Sequence, residues 1–329
     1  MANTEWRNQT PITEFILLEF GDLQKLQFPL FLLFLVIYIV TMAGNLTIVV
    51  LVVIDRHLHT PMYFFLGNLS CLETCYSSTI MPRMLVSLWA KDRTISVSSC
   101  IMQFYFFGCL AGTECFLLSV MSYDRYLAIC NPLRYAAIMN TRACIQMAAG
   151  CWISSFAINS IIVYLIFQLV FCGPKEIDHF FCDFTPLIKL SCSDTHLLTL
   201  ADFSFSTICA LPPFLLTLAS YVCIIITILR IPSTTGQQKA FSTCSSHLIV
   251  VTTFFGTLII IYMVPPDNTP IDLKKIFSVF YTVLTPLVNP LIYSFRNKEV
   301  NISLRNSVRK FVAYMRRQKK ITRLSVRFK

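Results

Sequence analysis

Charged residues are scarce in this sequence. Lys, Arg, Asp and Glu make up 13% of its 329 residues, whereas hydrophobic residues make up 55%, and the mean hydropathy is +0.65. A water-soluble domain of this length needs far more charge on its surface. The composition therefore excludes an ordinary soluble domain and indicates a chain whose solvent is lipid.

The sequence also lacks the short motifs of common enzymes. It contains no metal-binding helix motif, no serine nucleophile elbow and no phosphate-binding glycine loop. No apolar run of signal-peptide type precedes Phe28, so we expect the first membrane helix to act as an uncleaved insertion signal. We therefore predict a membrane protein that is not an enzyme.

Long apolar runs are abundant instead. A helix needs about 20 residues to cross the hydrocarbon core of a bilayer, and continuous rather than alternating apolar runs favour helices over barrel strands. Seven runs meet this length: Phe28–Ile54, Pro61–Leu88, Ile101–Met121, Ala143–Phe171, Phe203–Leu229, Phe241–Val264 and Ile276–Phe295. The predicted fold is an all-α membrane protein with a bundle of seven transmembrane helices over residues 28–295.

The net charge of +10 is distributed unevenly between the two sides of this bundle. Segments on the side of the N-terminus hold 9 of the 27 Lys and Arg residues, and the opposite side holds 18. By the positive-inside rule the second side is cytoplasmic. We therefore expect a multi-pass plasma-membrane protein with an extracellular tail over residues 1–27 and a cytoplasmic segment over 296–329. The basic excess then reflects topology and contact with the bilayer, not nucleic-acid binding.

Two features support an extracellular face. Asn8 begins a glycosylation sequon in the N-terminal tail, which we expect to be exposed. Four of the 14 cysteines lie at the outer start of the third span or in the long loop between spans four and five: Cys100, Cys172, Cys182 and Cys192. Four thiols allow three pairings, and the spacing does not choose among them. Copper or zinc binding by His179, Cys182 and Asp183 is an alternative that a disulfide at Cys182 would remove.

Five separated motifs carry a family resemblance. They are PMYFFLGNLSCLE (residues 61–73), MSYDRYLAICNPLRY (121–135), Ser220-Tyr221, KAFSTCSSH (239–247) and PLVNPLIYSFRN (286–297). Together with seven spans, they make the chain resemble a rhodopsin-like receptor, and more closely an olfactory receptor. The resemblance implies that the chain binds small volatile odorants and activates a stimulatory olfactory-type G protein that raises cyclic AMP.

The resemblance assigns roles to four residues of a G-protein switch. Asp124 holds Arg125 at rest, and Tyr221 and Tyr293 offer their hydroxyls to the freed arginine in the active state. The alternative is a surface ion pair at a helix end, worth only about 0 to 1 kcal/mol. The family also joins the third span to the middle cysteine of the outer loop, which implies the disulfides Cys100–Cys182 and Cys172–Cys192.

Two acids, Glu73 and Glu114, lie deep in the predicted membrane, where an unpaired charge costs at least about 2.5 kcal/mol. By resemblance, Glu73 takes the position of the sodium-site acid of rhodopsin-like receptors, with Asn45 and Asn289 as neighbours. A sodium ion between the two acids would offset their repulsion. We expect no cofactor apart from this sodium ion, which would act as an allosteric ligand. The alternative is a structural cluster in which the acids share a proton.

The resemblance also places a ligand cleft in the outer halves of spans three, five, six and seven. We expect its wall to be formed by Phe107, Gly108, Ala111, Gly112, Cys115, Phe205, Ser206, Cys209, Leu258, Ile259, Tyr262 and Thr282. Gly112 should open the cleft between Phe107 and Cys115. Such a wall is apolar with a few hydroxyls, which suits a weakly polar molecule. The alternative for the helix-three residues is ordinary small-residue packing.

Two competing functions remain at this stage. A non-olfactory rhodopsin-like receptor for a lipid or peptide would share the fold, but the KAFSTCSSH segment favours the olfactory group. An ion-coupled transporter could use paired acids, but it predicts inverted repeats, and the two halves show no similarity.

The segment after Asn297 alternates apolar and basic residues. This pattern predicts a short amphipathic helix on the inner leaflet, where each basic residue contributes about 1 kcal/mol near anionic lipid. The segment contains no cysteine, so we expect the 12 basic residues of the stretch 296–329, rather than palmitate, to hold it at the bilayer.

Overall fold

The structure is a computed structural model, and it describes residues 12–18, 26–172, 174–263, 271–297 and 299–309. Seven long helical segments form one bundle. They are α1 (Gln27–Ile54), α2 (Pro61–Ala90), α3 (Val97–Cys130), α5 (Thr141–Ile166), α7 (His196–Leu229), α8 (Thr234–Met263) and the pair α9 (Ile271–Val279) and α10 (Thr285–Arg296), which a π-helical turn (Phe280–Leu284) connects. Shorter helices are α4 (Pro132–Ile138), α6 (Phe184–Ile188) and α11 (299–309).

The predicted fold class is confirmed, although several helices extend beyond the predicted apolar runs. α3 begins at Val97 and ends at Cys130, and at about 1.5 Å per residue its 34 residues exceed the thickness of the hydrocarbon core. Its central position explains this length. α3 contacts α2, α5, α7 and α8, so both of its ends stay packed against protein beyond the apolar stretch.

Within the part of the chain that the structure describes, five helical segments are long and apolar enough to cross a membrane by length and composition: α1, α3, α5, α7 and the stretch Lys275–Tyr293 of α9 and α10. α8 contributes a shorter apolar section, His247–Leu258. α2 has 30 residues but includes Glu73 and Arg83. It packs against α1 and α3 and buries 16 of its residues, so it needs less apolar surface toward lipid.

α1 shows how the bundle partitions its side chains. It buries the polar residues Thr41 and Asn45 and exposes apolar ones such as Val36, Val50 and Val53. In water this arrangement would be unfavourable, because it turns hydrocarbon toward solvent. It is the arrangement expected of a helix with lipid on its outer face, since polar side chains inside a membrane face the bundle interior.

A small three-stranded sheet covers one end of the bundle. β1 (Glu14–Leu17) lies in the centre, antiparallel to β2 (Thr94–Ser96) and parallel to β3 (Glu176–Ile177). We call this end the sheet end and the opposite one the Arg125 end. The expectation of an exposed N-terminal tail is wrong for Phe15 and Leu17, whereas Glu14 is exposed. Phe15 and Leu17 alternate in sequence and are both fully buried, because they point to the same face of the strand.

α11 follows α10 after Asn297. Its Val300 and Ser303 are buried, and Leu304 packs against the core, whereas Ile302 and Val308 are exposed. The predicted tail from residue 310 onward lies outside the described residues, as does the sequon at Asn8.

Candidate functional site

The end of α3 holds a buried ion pair. Arg125 donates from Nε to Oδ2 of Asp124 at 2.9 Å, and its Nη2 donates to the same oxygen. The hydroxyl of Tyr135 on α4 donates to Oδ1 of Asp124 at 2.8 Å. Because Asp124 is buried, an unpaired carboxylate there would be costly. Both of its oxygens are occupied, so Arg125 is held by its neighbour and α4 is anchored to α3.

The two predicted partner hydroxyls lie elsewhere. Tyr221 on α7 forms a hydrogen bond with Nδ1 of His247 on α8 at 2.6 Å. Tyr293 on α10 is fully buried, and its hydroxyl makes no hydrogen bond with the described residues. Arg125 is near enough to interact electrostatically with Tyr221, His247 and Tyr293. The structure thus brings the four switch residues into one region, with Arg125 held by Asp124.

The two acids and two amides of the predicted cation site are all buried, and Glu73 is near enough to Glu114 to interact with it electrostatically. Asn289 donates from Nδ2 to Oε1 of Glu73. Asn45 donates to the carbonyls of Thr41 and Pro286, each at 3.1 Å, and so joins α1 to the start of α10. Oε2 of Glu73, Oε1 of Glu114 and Oδ1 of Asn45 make no hydrogen bond with the described residues. The described residues contain no cluster of three or more His, Cys, Asp or Glu side chains suited to a metal ion.

The predicted ligand wall is only partly brought together. Phe107 and Cys115 are buried, Ala111 packs against the core, and Thr282 is fully buried with its hydroxyl donating to the carbonyl of Ser278 at 2.6 Å. Leu258 packs partly buried against the core, and Phe205 against a second cluster around Phe104 and Phe184. Cys209 is also partly buried, and Ser206 is exposed. The side chains of Ile259 and Tyr262 lie outside the described residues.

The prediction that Gly112 opens the cleft is contradicted by the structure, and Gly108, predicted as part of the cleft wall, faces the same neighbouring helix as Gly112. A Cβ atom at Gly108 would collide with Oδ1 of Asn159, and one at Gly112 would collide with Oγ of Ser155, both on α5. The two glycines lie one turn apart on the same face of α3 and let the two helices approach closely, as small residues do in membrane bundles.

The cleft region is filled from the sheet end by the long loop. Its residues His179, Phe180 and Phe181 are buried, and we call them the aromatic plug. The ring of Phe181 lies 4.9 Å from that of Phe107, whose ring lies 5.9 Å from that of Tyr281. Phe181 of the aromatic plug therefore packs on Phe107, a residue of the predicted odorant wall.

Two disulfides fix this loop. The structure joins Cys100 to Cys182, which ties the aromatic plug to the start of α3, and Cys172 to Cys192, which closes the loop between α5 and α7. The Cys182 sulfur is therefore engaged in a covalent bond and is not a metal ligand in this arrangement. The ring of His179 stacks on that of Phe180, with the two ring centroids 4.8 Å apart.

Comparisons with known proteins agree with this geometry. The fold matches a crystal structure of squid rhodopsin with a TM-score of 0.70 at 14% identity, over 95% of this chain and 91% of that one. A family model described as olfactory receptor matches residues 34–311. The chain belongs to the olfactory receptor family.

Its curated relatives are also olfactory receptors. Olfactory receptor 5AP2 of Mus musculus is 48% identical over 306 residues, covering 93% of this chain and 96% of the relative. Olfactory receptor 5AP2 of Homo sapiens is 47% identical over 312 residues, covering 95% and 99%. The matches extend over nearly the whole length of both proteins, so the resemblance drawn from separate motifs is confirmed.

Two residues of this olfactory receptor had no role predicted from the sequence. His247 belongs to one of the five motifs, and a histidine in an apolar run is a polar group that needs a partner. Leu133 lies on α4, two residues before Tyr135, and is 99% exposed. A leucine after Asn-Pro, between two spans, was the signal available in the sequence.

Proposed function

We propose that this olfactory receptor binds small volatile odorants near its sheet end and activates a stimulatory G protein at its Arg125 end, which raises cyclic AMP. In this proposal the sheet end is extracellular and the Arg125 end is cytoplasmic. The observation that carries it is the buried Asp124–Arg125 pair, held by Tyr135 at the mouth of the bundle. A cation kept in this position by a removable partner is suited to a switch.

The binding site in this proposal lies between α3, α7, α8 and α9, around Phe107, Cys115, Leu258 and Thr282. The surroundings are apolar and aromatic. A small ligand gains most of its affinity there by burying hydrocarbon, at about 25 cal/mol per Å². Since the aromatic plug fills the region, a ligand has to displace it at least in part. Plug displacement is the event that would distinguish the bound receptor from the unbound one.

Signal transfer in this proposal runs along the helices that meet at Arg125. Movement of α8 away from α7 would break the hydrogen bond between Tyr221 and His247. The Tyr221 and Tyr293 hydroxyls would then become partners for Arg125. Leu133, exposed on α4, offers the G protein an apolar anchor, as is common at the centre of protein interfaces.

A sodium ion is part of the proposal as an allosteric ligand. Three buried oxygens, on Glu73, Glu114 and Asn45, make no hydrogen bond with the described residues, Asn289 bonds to Glu73, and oxygen atoms are the ligands that hard cations prefer. Bound sodium would supply the positive charge that lets both carboxylates remain ionised. The alternative, a shared proton, would leave receptor signalling independent of sodium.

The proposed function is tested by expression of the full chain with an olfactory-type stimulatory G protein and a screen of chemically diverse volatiles by cyclic AMP. Responses should depend on concentration and disappear in Arg125→Ala, with surface delivery unchanged in that variant. Normal signalling by Arg125→Ala would exclude the switch. Activation by lipids or peptides but by no volatile would favour the non-olfactory alternative.

A further inference from the structure

A buried lysine stands at the sheet end of the seventh span. Lys275 on α9 is only 6% exposed, and its Nζ atom lies 2.5 Å from Oδ1 of Asp178. The side chain of Asp178 is 47% exposed and comes from the loop that carries the aromatic plug. The ion pair thus joins a protein-enclosed cation to an acid that already touches solvent.

The ammonium group of Lys275 depends on this partner. Transfer of a charged group from water into the protein interior is strongly unfavourable unless an opposite charge and hydrogen bonds compensate it. Among the described residues, Asp178 is the acid within ion-pair distance of Lys275. Burial, together with the nearby Lys275, lowers the pKa of the adjacent His179 to about 3, so that imidazole is neutral at physiological pH. The charge that Asp178 balances is therefore that of Lys275 and not of His179.

The position of Lys275 links it to the ligand region. Ser278 and Thr282 follow it at helical spacing, and both are buried. The aromatic plug lies between Asp178 and Cys182 in the sequence. The ion pair of Asp178 with Lys275 holds one side of it, and the disulfide of Cys182 with Cys100 holds the other. Whatever replaces Asp178 on Lys275 frees the ionic end of the plug and leaves the covalent end in place.

We propose that Lys275 is the docking cation for odorants that carry a carboxylate, and that the ligand carboxylate takes the place of Asp178. This inference rests on the proposed function and names a ligand class for the same site. Carboxylic acids are ionised at neutral pH, since carboxyl groups have an unperturbed pKa of about 4. Exchange of one carboxylate for another keeps the buried ammonium paired, whereas a neutral ligand cannot compensate it.

The difference in exposure between Asp178 and Lys275 favours the exchange of Asp178 for a ligand carboxylate. Asp178 is half exposed on a loop and returns to water at little cost, whereas Lys275 is enclosed and stays in place. Once the carboxylate is bound, the hydrocarbon part of the ligand extends toward Phe107 and Tyr281 and replaces aromatic contacts of the freed plug. A charge-assisted hydrogen bond then fixes the orientation of an otherwise apolar molecule.

The experiment compares aliphatic carboxylic acids with the matched primary alcohols and methyl esters, in the cyclic AMP assay on the full receptor. We expect acids to activate the wild type. Lys275→Gln should raise the half-maximal concentration for acids on the order of tenfold, because a hydrogen bond to a charged group is lost. Lys275→Arg, which keeps the charge, should retain most of the acid response, and alcohol potency should differ among the three receptors much less than acid potency.

Asp178→Asn provides an independent measurement. It removes the competing carboxylate and also frees the plug, so acid potency should increase by clearly more than alcohol potency, since only the acid gains an ion pair with Lys275. If Lys275→Gln does not reach the surface, the test rests on Asp178→Asn alone. An acid potency that is unchanged or reduced in Asp178→Asn overturns the inference. Equal shifts for acids and alcohols in Lys275→Gln also overturn it and make the pair a simple loop tether.

The same assay separates this inference from the proposed function. A receptor that responds to alcohols or esters but to no acid overturns the role of Lys275 and leaves the odorant-receptor function intact. A receptor that responds to no volatile of any class overturns the proposed function itself.

Discussion

The hydroxyl of Tyr221 on α7 lies 2.6 Å from Nδ1 of His247 on α8, and both side chains are buried. The bond joins the two helices at the Arg125 end, where Arg125 is held by Asp124 and not by Tyr221. In this structure the Tyr221–His247 bond therefore accompanies an Arg125 that is bound to Asp124.

We predict that His247→Phe raises basal cyclic AMP, because it removes the tie between α7 and α8 while it keeps a ring in the space. One hydrogen bond contributes about 0.5 to 1.5 kcal/mol, so the resting equilibrium should shift by roughly two- to tenfold. Tyr221→Phe is the matched variant. It removes the same bond but also the hydroxyl proposed to receive Arg125, so its agonist response should fall. Identical behaviour of the two variants would contradict the separate roles.

Leu133 provides a test of the G-protein surface. We predict that Leu133→Ala lowers the maximal agonist response while surface expression stays normal, because a side chain that is 99% exposed contributes no packing to the fold. Burial of a leucine in an interface is worth about 1.5 to 3 kcal/mol, enough to weaken coupling strongly. Ile138→Ala, an exposed apolar residue at the end of α4, is the control. An unchanged response in Leu133→Ala would remove Leu133 from the coupling surface.

The disulfides can be checked directly. Peptide mapping under non-reducing conditions should recover Cys100 linked to Cys182 and Cys172 linked to Cys192. Loss of a native disulfide costs about 2 to 5 kcal/mol in small secreted domains. Cys100→Ser should therefore leave little receptor at the surface, whereas Cys223→Ser, a free and exposed cysteine on α7, should have no such effect. Recovery of Cys100 with Cys172 or Cys192 would refute the pairing.

The acid cluster predicts a dependence on sodium. Replacement of external sodium by a bulky organic cation should shift agonist potency in the wild type, and Glu114→Gln should reduce that shift because it removes one negative charge from the cluster. Thr113→Val, on the same helix but with its hydroxyl bonded to the carbonyl of Cys109, is the control. A wild type that is insensitive to sodium would favour the shared proton.

Gly112 allows a test of close packing between α3 and α5. We predict that Gly112→Ala lowers surface expression, since its Cβ would meet Oγ of Ser155, which donates to the carbonyl of Cys109 at 2.7 Å. Overpacking of this kind costs about 1 to 3 kcal/mol. The double variant Gly112→Ala with Ser155→Ala should recover expression because it removes the clashing oxygen. A changed agonist profile at full surface expression would instead place Gly112 in the ligand cleft.

The amino-acid sequence was sufficient to predict the seven spans, the fold class and the family. Length and hydrophobicity of a span are local properties, because each helix satisfies its own backbone hydrogen bonds in lipid. Residues that act through their neighbours in sequence, such as Asp124 and Arg125, could be assigned from a motif for the same reason. The N-terminal strand was not predicted, since a four-residue strand becomes stable only when β2 and β3 pair with it.

The tertiary structure decided which residues meet across the bundle. Helical spacing placed Gly108 and Gly112 on one face of α3, but the rotation of α3 against its neighbours turned that face toward α5. The ion pair between Asp178 and Lys275 and the filling of the cleft by Phe181 join segments far apart in the chain. Their geometry depends on how the helices and the long loop pack together, and no local pattern in the sequence encodes that packing.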